Sequence, residues 1–212
     1  MKKLIKTIAP IVLLPLFVAI FMMSAKAPAD NTGYKVGDKA ADFNLKNVDG
    51  KMVSLAGLSS AKGYIMVFTC NHCPFAKAYE SRIMGLNEEF APKGYPVIAI
   101  NPNDPTQVDE DSYSNMKTVA KIKGYKFPYL VDGTQEVARE YGAAHTPHVF
   151  VLQKTNDGNI VRYIGAIDDN SSDESKVTKH YVADAVNSLL EGKEVAVTTT
   201  KAVGCSIKWS AK

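Results

Sequence analysis

The chain has 212 residues, 46% of them hydrophobic, with 25 basic residues against 22 acidic for a formal net charge of +3. That length suits one domain with appendages, and three cysteines are too few for a disulfide-stapled scaffold. The positive charge is local: residues 1–29 carry four lysines and no acid, and without them 21 basic residues face 22 acidic ones, a net of −1. No electrostatic footprint for nucleic acid is left in the remainder.

Residues 1–29 read as a secretory signal. Lys2, Lys3 and Lys6 charge the start, residues 8–23 are apolar although Pro10 and Pro15 interrupt them, and Ala27-Pro28-Ala29 offers a small-x-small cleavage site before Asp30. The alternative is an uncleaved membrane anchor made of residues 8–23, which is short of the ~20 residues a span needs. Either way the expected location is the periplasm or cell envelope. The organisation expected is therefore a signal or anchor over 1–29, a domain over 30–192, and a tail over 193–212 packing on that domain.

Along the domain, residues 30–41 read as a polar lead-in. Asp42-Phe43-Asn44-Leu45 and Met52-Val53-Ser54-Leu55 flank the turn signal Asp49-Gly50, which predicts a hairpin. Residues 64–69 form an apolar run suited to a buried strand. Residues 76–90 then place Ala76, Tyr79, Ile83, Leu86 and Phe90 at helical spacing. A second buried strand is expected at 96–100, a helix opened by Asp111 and Ser112 at 112–123, a short strand at 129–131, and a short helix at 135–141 closed by Gly142. Residues 148–153 and 160–164 predict a second hairpin across Asp157-Gly158. A loop at 168–175 leads to a last helix at 177–190, ended by Gly192. Strands alternating with helices and finishing in a hairpin indicate a mixed α/β sheet covered on both faces.

The most informative motif is Cys70-Asn71-His72-Cys73 between the first buried strand and the first helix. A cysteine at a helix N-terminus meets free backbone N–H groups and the positive end of the helix dipole, which favour its thiolate. Cys70 is accordingly expected to be the more exposed and more acidic thiol, with Cys73 one turn inside and near enough to close a disulfide. A purely structural role is a poor use of this pair, because so short a loop gains only about 2 kcal/mol from cross-linking against about 4.7 for a loop of a hundred residues. Half of a zinc site is another reading, but zinc wants four ligands and no second Cys-x-x-Cys exists. His145, His148 and Cys205 match no common ligand spacing.

The strand, the Cys-x-x-Cys, the helix and the later Thr146-Pro147 before a strand resemble the thioredoxin superfamily. Phe43-Asn44-Leu45, Asp49-Gly50-Lys51 and Ser54-Leu55 are similar to its AhpC/TSA–redoxin branch, which includes exported TlpA- and ResA-like reductases. Residues 70–80, Phe127-Pro128-Tyr129-Leu130, Ile167-Asp168-Asp169-Asn170 and residues 204–209 look like peroxiredoxin-like members of that branch. The resemblance spans roughly residues 35–209. It implies a thioredoxin-like sheet with an N-terminal hairpin and an inserted strand and helix, a cis bond before Pro147, and a proline facing the disulfide.

It also implies roles. Cys70 attacks a disulfide, Cys73 resolves the mixed disulfide, and His72 stabilises the Cys70 thiolate. Pro147 shapes a groove in which Thr146, His148 and Asn71 contact the substrate backbone. The redox-active disulfide Cys70–Cys73 serves in place of a separate cofactor or metal. The partners implied are disulfide-containing or dithiol proteins and a protein that exchanges electrons with this one. Asp104 and Glu80 are candidates for a base near Cys73, while Asp168 and Asp169 read as a solvated loop or helix cap, and His180 as surface. Cys205 is either a buried free cysteine or a third redox thiol delivered by the tail. The sequence departs from thioredoxin in Thr69 before the first cysteine and in Asn71-His72 between the two. It also lacks the peroxidatic frame Pro-x-x-x-Thr-x-x-Cys: the required positions hold Gly63 and Val67 for Cys70, and Met66 and Cys70 for Cys73. Thiol peroxidase, and a non-catalytic metal-binding or redox-sensing module, stand as the alternatives.

Overall fold

A computed structural model describes residues 33–211; the signal or anchor expected over 1–29 lies outside the described residues. An eight-stranded sheet runs in the order β1(Lys39–Ala40), β9(Gly158–Gly165), β8(His148–Thr155), β4(Gly63–Phe68), β5(Val97–Asn101), β6(Tyr129–Val131), β2(Leu45–Asn47), β3(Met52–Val53). β4, β5 and β6 are parallel, and the pairings on either side of them are antiparallel.

Alternation along the strands divides the core in two. Ile65 and Val67 of β4 and Val149 and Val151 of β8 face one side, with Tyr79, Ile83, Leu86 and Phe90 of α1(Pro74–Phe90) and Val182, Ala185, Val186 and Leu189 of α4(Tyr181–Leu190). Tyr64, Met66, Phe68, Phe150 and Leu152 face the other, with Val137, Ala138 and Tyr141 of α3(Glu136–Tyr141) and Ile207 of the tail. All six residues of β4 are buried, as expected of a strand covered on both faces. Gly63 starts it because a Cβ there would run into the Tyr95 ring and the Leu152 carbonyl.

The two hairpins and the first helix match the sequence expectation, and α2(Tyr113–Lys123) begins after Ser112, whose hydroxyl accepts from the Asn115 N–H. The inserted strand and helix are present: two strand–helix pairs, β5–α2 and β6–α3, lie between Cys73 and Pro147.

Two expectations need correction. The lead-in is not wholly irregular, since Lys39–Ala40 pairs with β9. The last helix starts at Tyr181, not 177. Asp169 accepts from both the N–H and the hydroxyl of Thr178 and donates its own N–H to the Lys179 carbonyl, holding that segment extended. The tail is ordered by β10(Cys205–Ser206), which pairs antiparallel with β7(His145–Thr146). Among the described residues no helix is long and apolar enough to cross a membrane.

Candidate active site

The site lies where β4 and β5 end, at the carboxyl edge of the parallel strands, where loops are free to carry chemistry. Cys73 is the N-cap of α1, and Pro74 occupies its first position, where a missing N–H costs nothing. Cys70 therefore lies three residues before the cap, outside the helix, and not at its first turn as the motif alone suggested.

Thr146 is the hub. Its hydroxyl is 3.2 Å from Cys70 Sγ, its carbonyl oxygen is 3.2 Å from Cys73 Sγ, and in the β10–β7 register it stands opposite Cys205. The Thr146–Pro147 peptide is cis, as the resemblance implies. The disulfide joins Cys73 to Cys205, leaving Cys70 a free thiol. This differs from the expected Cys70–Cys73 pairing, and the reason is the tail: β10 carries Cys205 over Thr146 to the same cluster. Cys73, bonded in this way, has no proton to donate; as a thiol it can donate to the Thr146 carbonyl.

Cys70, 4% exposed, is the more accessible of the pair, Cys73 being fully buried, but both are buried and Cys70 is not held as an acidic thiol. Burial pushes the Cys70 thiol up, and the negative charge of Asp111 adds to this. The Thr146 hydroxyl and the N–H groups of Cys73 and His72 oppose the rise without cancelling it.

A buried carboxylate that sequence reasoning missed organises the opposite wall. Asp111 is 2% exposed. Its Oδ1 accepts from the Asn71 N–H at 2.6 Å and Asn101 Nδ2 at 3.1 Å. Its Oδ2 accepts from Asn103 Nδ2 at 2.8 Å and lies 2.5 Å from His72 Nδ1. Asp111 read as a helix opener because it precedes Ser112. The available signal was Asn101-Pro102-Asn103, polar residues directly after a buried strand.

Asn71, expected to contact substrate, has its side chain engaged inside the protein. Its side chain donates to the Glu110 carbonyl at 2.7 Å and accepts from the Tyr129 hydroxyl at 2.9 Å, and the residue is buried, so it positions the motif. With Nδ1 committed to Asp111, His72 keeps Nε2 for other partners. Cys70, His72 and Asp111 are the one group among the described residues with three metal-ligating atoms within 4.8 Å of one another. Hydrogen bonds account for that arrangement, since both Asp111 oxygens are already engaged.

The other candidates separate from the site. Glu80 pairs with Lys123, and Asp104 accepts from the N–H and hydroxyl of Thr106; neither is bonded to a cysteine. His148 packs on the Phe150 ring at 4.8 Å and accepts from the Ala144 N–H at 3.4 Å. Burial, with a smaller contribution from His145, lowers its pKa to about 4, so it is a neutral ring in the wall. Asp168 is not solvated: it is 4% exposed, pairs with Arg82 at 2.7 Å and accepts from the Tyr79 hydroxyl at 3.0 Å, tying the loop after β9 to α1. Asp169 does cap the exposed segment at Thr178, and His180 is exposed as expected.

The AhpC/TSA family model matches residues 36–164, more than half of the chain, and the protein belongs to the AhpC/TSA family. An uncharacterized conserved protein of Geobacillus kaustophilus is 40% identical, with a TM-score of 0.78 over 84% of this chain and 94% of that one. The thiol-disulfide oxidoreductase ResA of Halalkalibacterium halodurans is 26% identical over 137 residues, covering 63% of this chain and 70% of that protein. The pneumococcal exposed lipoprotein thioredoxin of Streptococcus pneumoniae, 22% identical with a TM-score of 0.52 over 72% of this chain and 99% of that one, shares the fold. The architecture is thioredoxin-like.

Proposed function

We propose that the protein is an exported thiol–disulfide oxidoreductase acting on disulfide-containing or dithiol proteins and re-set by a redox partner protein. The observation that carries this reading is the free Cys70 thiol against Thr146 and cis-Pro147 with Cys73 three residues on. The name of the ResA relative supports it, and export rests on the signal pattern of residues 1–29 alone.

Cys70, as thiolate, attacks one sulfur of a partner disulfide. A Cys70–partner bond forms, and the other partner sulfur leaves with the electron pair and takes a proton. Cys73, reduced for this step and deprotonated by solvent, then attacks Cys70 Sγ. The Cys70–Cys73 bond forms and the partner's second thiolate leaves, so the partner gains two electrons and the pair loses two. Reversal oxidises a dithiol. The Thr146 hydroxyl, a donor at 3.2 Å, favours Cys70 as thiolate both before attack and when it leaves. His72, whose ligand nitrogen lies within 4.8 Å of the Cys70 sulfur, offers the Cys70 thiolate a nearby donor and so raises the potential of the couple above that of a chain without it.

The test is reduction of a protein disulfide by the dithiol form. Cys70→Ser abolishes it, and Cys73→Ser accumulates mixed disulfides. Full activity in Cys70→Ser overturns the assignment. Sustained peroxide consumption at a comparable rate replaces it with a peroxidase. His72→Ala lowers the potential; an unchanged value removes His72 from the mechanism.

A further inference from the structure

We propose that Cys205 is a third exchange thiol, which takes the disulfide over from the Cys70–Cys73 pair and returns Cys70 to the thiol state. This rests on the thiol–disulfide reading above and adds a step to it. The three cysteines form one cluster, in which Cys70, Cys73 and Ala76 are buried and Cys205 packs against them half-buried.

The tail that presents Cys205 is held by contacts that owe nothing to the disulfide. Lys208 donates its N–H to Asn103 Oδ1 at 2.9 Å, and its carbonyl accepts from the Asp104 N–H and from Gln135 Nε2. Gln107 Nε2 donates to the Trp209 carbonyl, and the Ser210 N–H donates to Gln135 Oε1. Ile207 is buried in the core, and the Arg139 guanidinium stacks over the Trp209 ring at 4.3 Å. On the other side of Cys205, Gly204 lies so close to Thr146 and Pro147 that a Cβ would run into the Thr146 carbonyl. Cys205 therefore stays beside Cys73 when the bond is reduced. A cross-link is not needed to hold a segment anchored this way, whereas passing the disulfide on from the Cys70–Cys73 pair requires a third sulfur kept within reach.

The step conserves electrons. Cys205, deprotonated, attacks Cys73 Sγ of the Cys70–Cys73 disulfide. The Cys73–Cys205 bond forms, the Cys70–Cys73 bond breaks, and the electron pair leaves on Cys70 Sγ, which takes up one proton. Oxidising equivalents then rest on the half-buried side of the cluster, where a reducing thiol reaches Cys205, while Cys70 is again a free thiol next to Thr146.

The experiment treats the fully reduced chain with one equivalent of a disulfide-bonded peptide. Samples are quenched in acid at intervals, denatured, labelled with N-ethylmaleimide and mapped by mass spectrometry. The expected result is early Cys70–Cys73 linkage, replaced by Cys73–Cys205 with the label on Cys70. In Cys205→Ser, one equivalent is still reduced and the Cys70–Cys73 link accumulates. A wild-type end point with Cys70–Cys73 linked and the label on Cys205 overturns the relay and leaves the oxidoreductase standing. Equally fast formation of Cys73–Cys205 in Cys70→Ser also overturns it, as does a Cys73–Cys205 bond that dithiothreitol reduces only after denaturation; both identify a staple. Failure of the reduced wild type to consume even the first equivalent overturns the parent reading instead.

Discussion

Replacing Asp111 with asparagine keeps the shape of the side chain and removes its charge, and its two effects have separate readouts. Each carboxylate oxygen serves two groups: Asn71 N–H and Asn101 Nδ2 on Oδ1, Asn103 Nδ2 and His72 Nδ1 on Oδ2. In Asp111→Asn one of these oxygens becomes an NH2 group, which cannot accept. A hydrogen bond to a charged group contributes about 1.5–3 kcal/mol, so two lost bonds set a ceiling of about 3–6 kcal/mol. Rotation of the Asn103 amide and a change of His72 tautomer recover part of it. A net loss of about 3 kcal/mol is expected, which for a chain of this size lowers the melting temperature by roughly 6–12 °C. Urea unfolding followed by far-ultraviolet circular dichroism measures it, with an unchanged m-value as the control. The second effect is on Cys70, whose thiolate the Asp111 charge opposes. In a Cys73→Ser, Cys205→Ser background, thiolate absorbance against pH should show the Cys70 pKa falling in Asp111→Asn. Stability within about 0.5 kcal/mol of the parent refutes the network's role. A rise in the Cys70 pKa refutes the electrostatic argument and shows that Asp111 acts on sulfur by holding His72.

Thr146→Val keeps the β-branched shape and the carbonyl near Cys73 but removes the hydroxyl beside Cys70. The Cys70 pKa should rise further and its reaction with an aromatic disulfide at pH 7 should slow, whereas an unchanged pH–rate profile would falsify the hydroxyl's role. His148 has its pKa lowered from 6.5 to about 4, so its neutral form belongs to the fold. Its contribution is intact above pH 6.5 and is lost as pH falls through 6.5 to 4, where the unfolded chain takes up the proton first, by at most about 3 kcal/mol. His148→Phe should flatten that part of the stability-against-pH curve; an identical slope in both proteins counts against the assignment. Asp168→Asn leaves Arg82 buried without its charge partner and should cost about 3–5 kcal/mol in the same unfolding assay; a loss below 1 kcal/mol shows that the pair is solvated in solution.

The sheet was legible because its signals are local. β4 and the first half of β8 are short continuous apolar runs, α1 repeats its apolar residues every three or four positions, and the hairpins turn at Asp49-Gly50 and Asp157-Gly158. The start of α4 was not, because Asp169 holds Thr178 from nine residues away. At the site, the cysteine motif and Thr146-Pro147 were readable as a pattern. Asp111 was hidden by a second plausible job, opening a helix, and its four partners come from two segments, 71–72 and 101–103, that only the fold brings to it. The Cys205 partnership was invisible for the same reason: nothing in residues 204–209 states which strand they will meet.

That strand pairing bears on who can reach Cys70. The edge of β7 opposite Thr146 is already occupied by the chain's own β10, so an extended polypeptide seeking to pair there enters a contest with a tethered rival. A tethered segment competes at an effective concentration in the millimolar range for a short flexible link, before its own anchoring contacts are counted. Partners that depend on backbone pairing at this edge must outbid that concentration, while a thiol or disulfide small enough to approach the sulfurs without adding a strand is not subject to the contest. The tail thus sorts callers by how they bind.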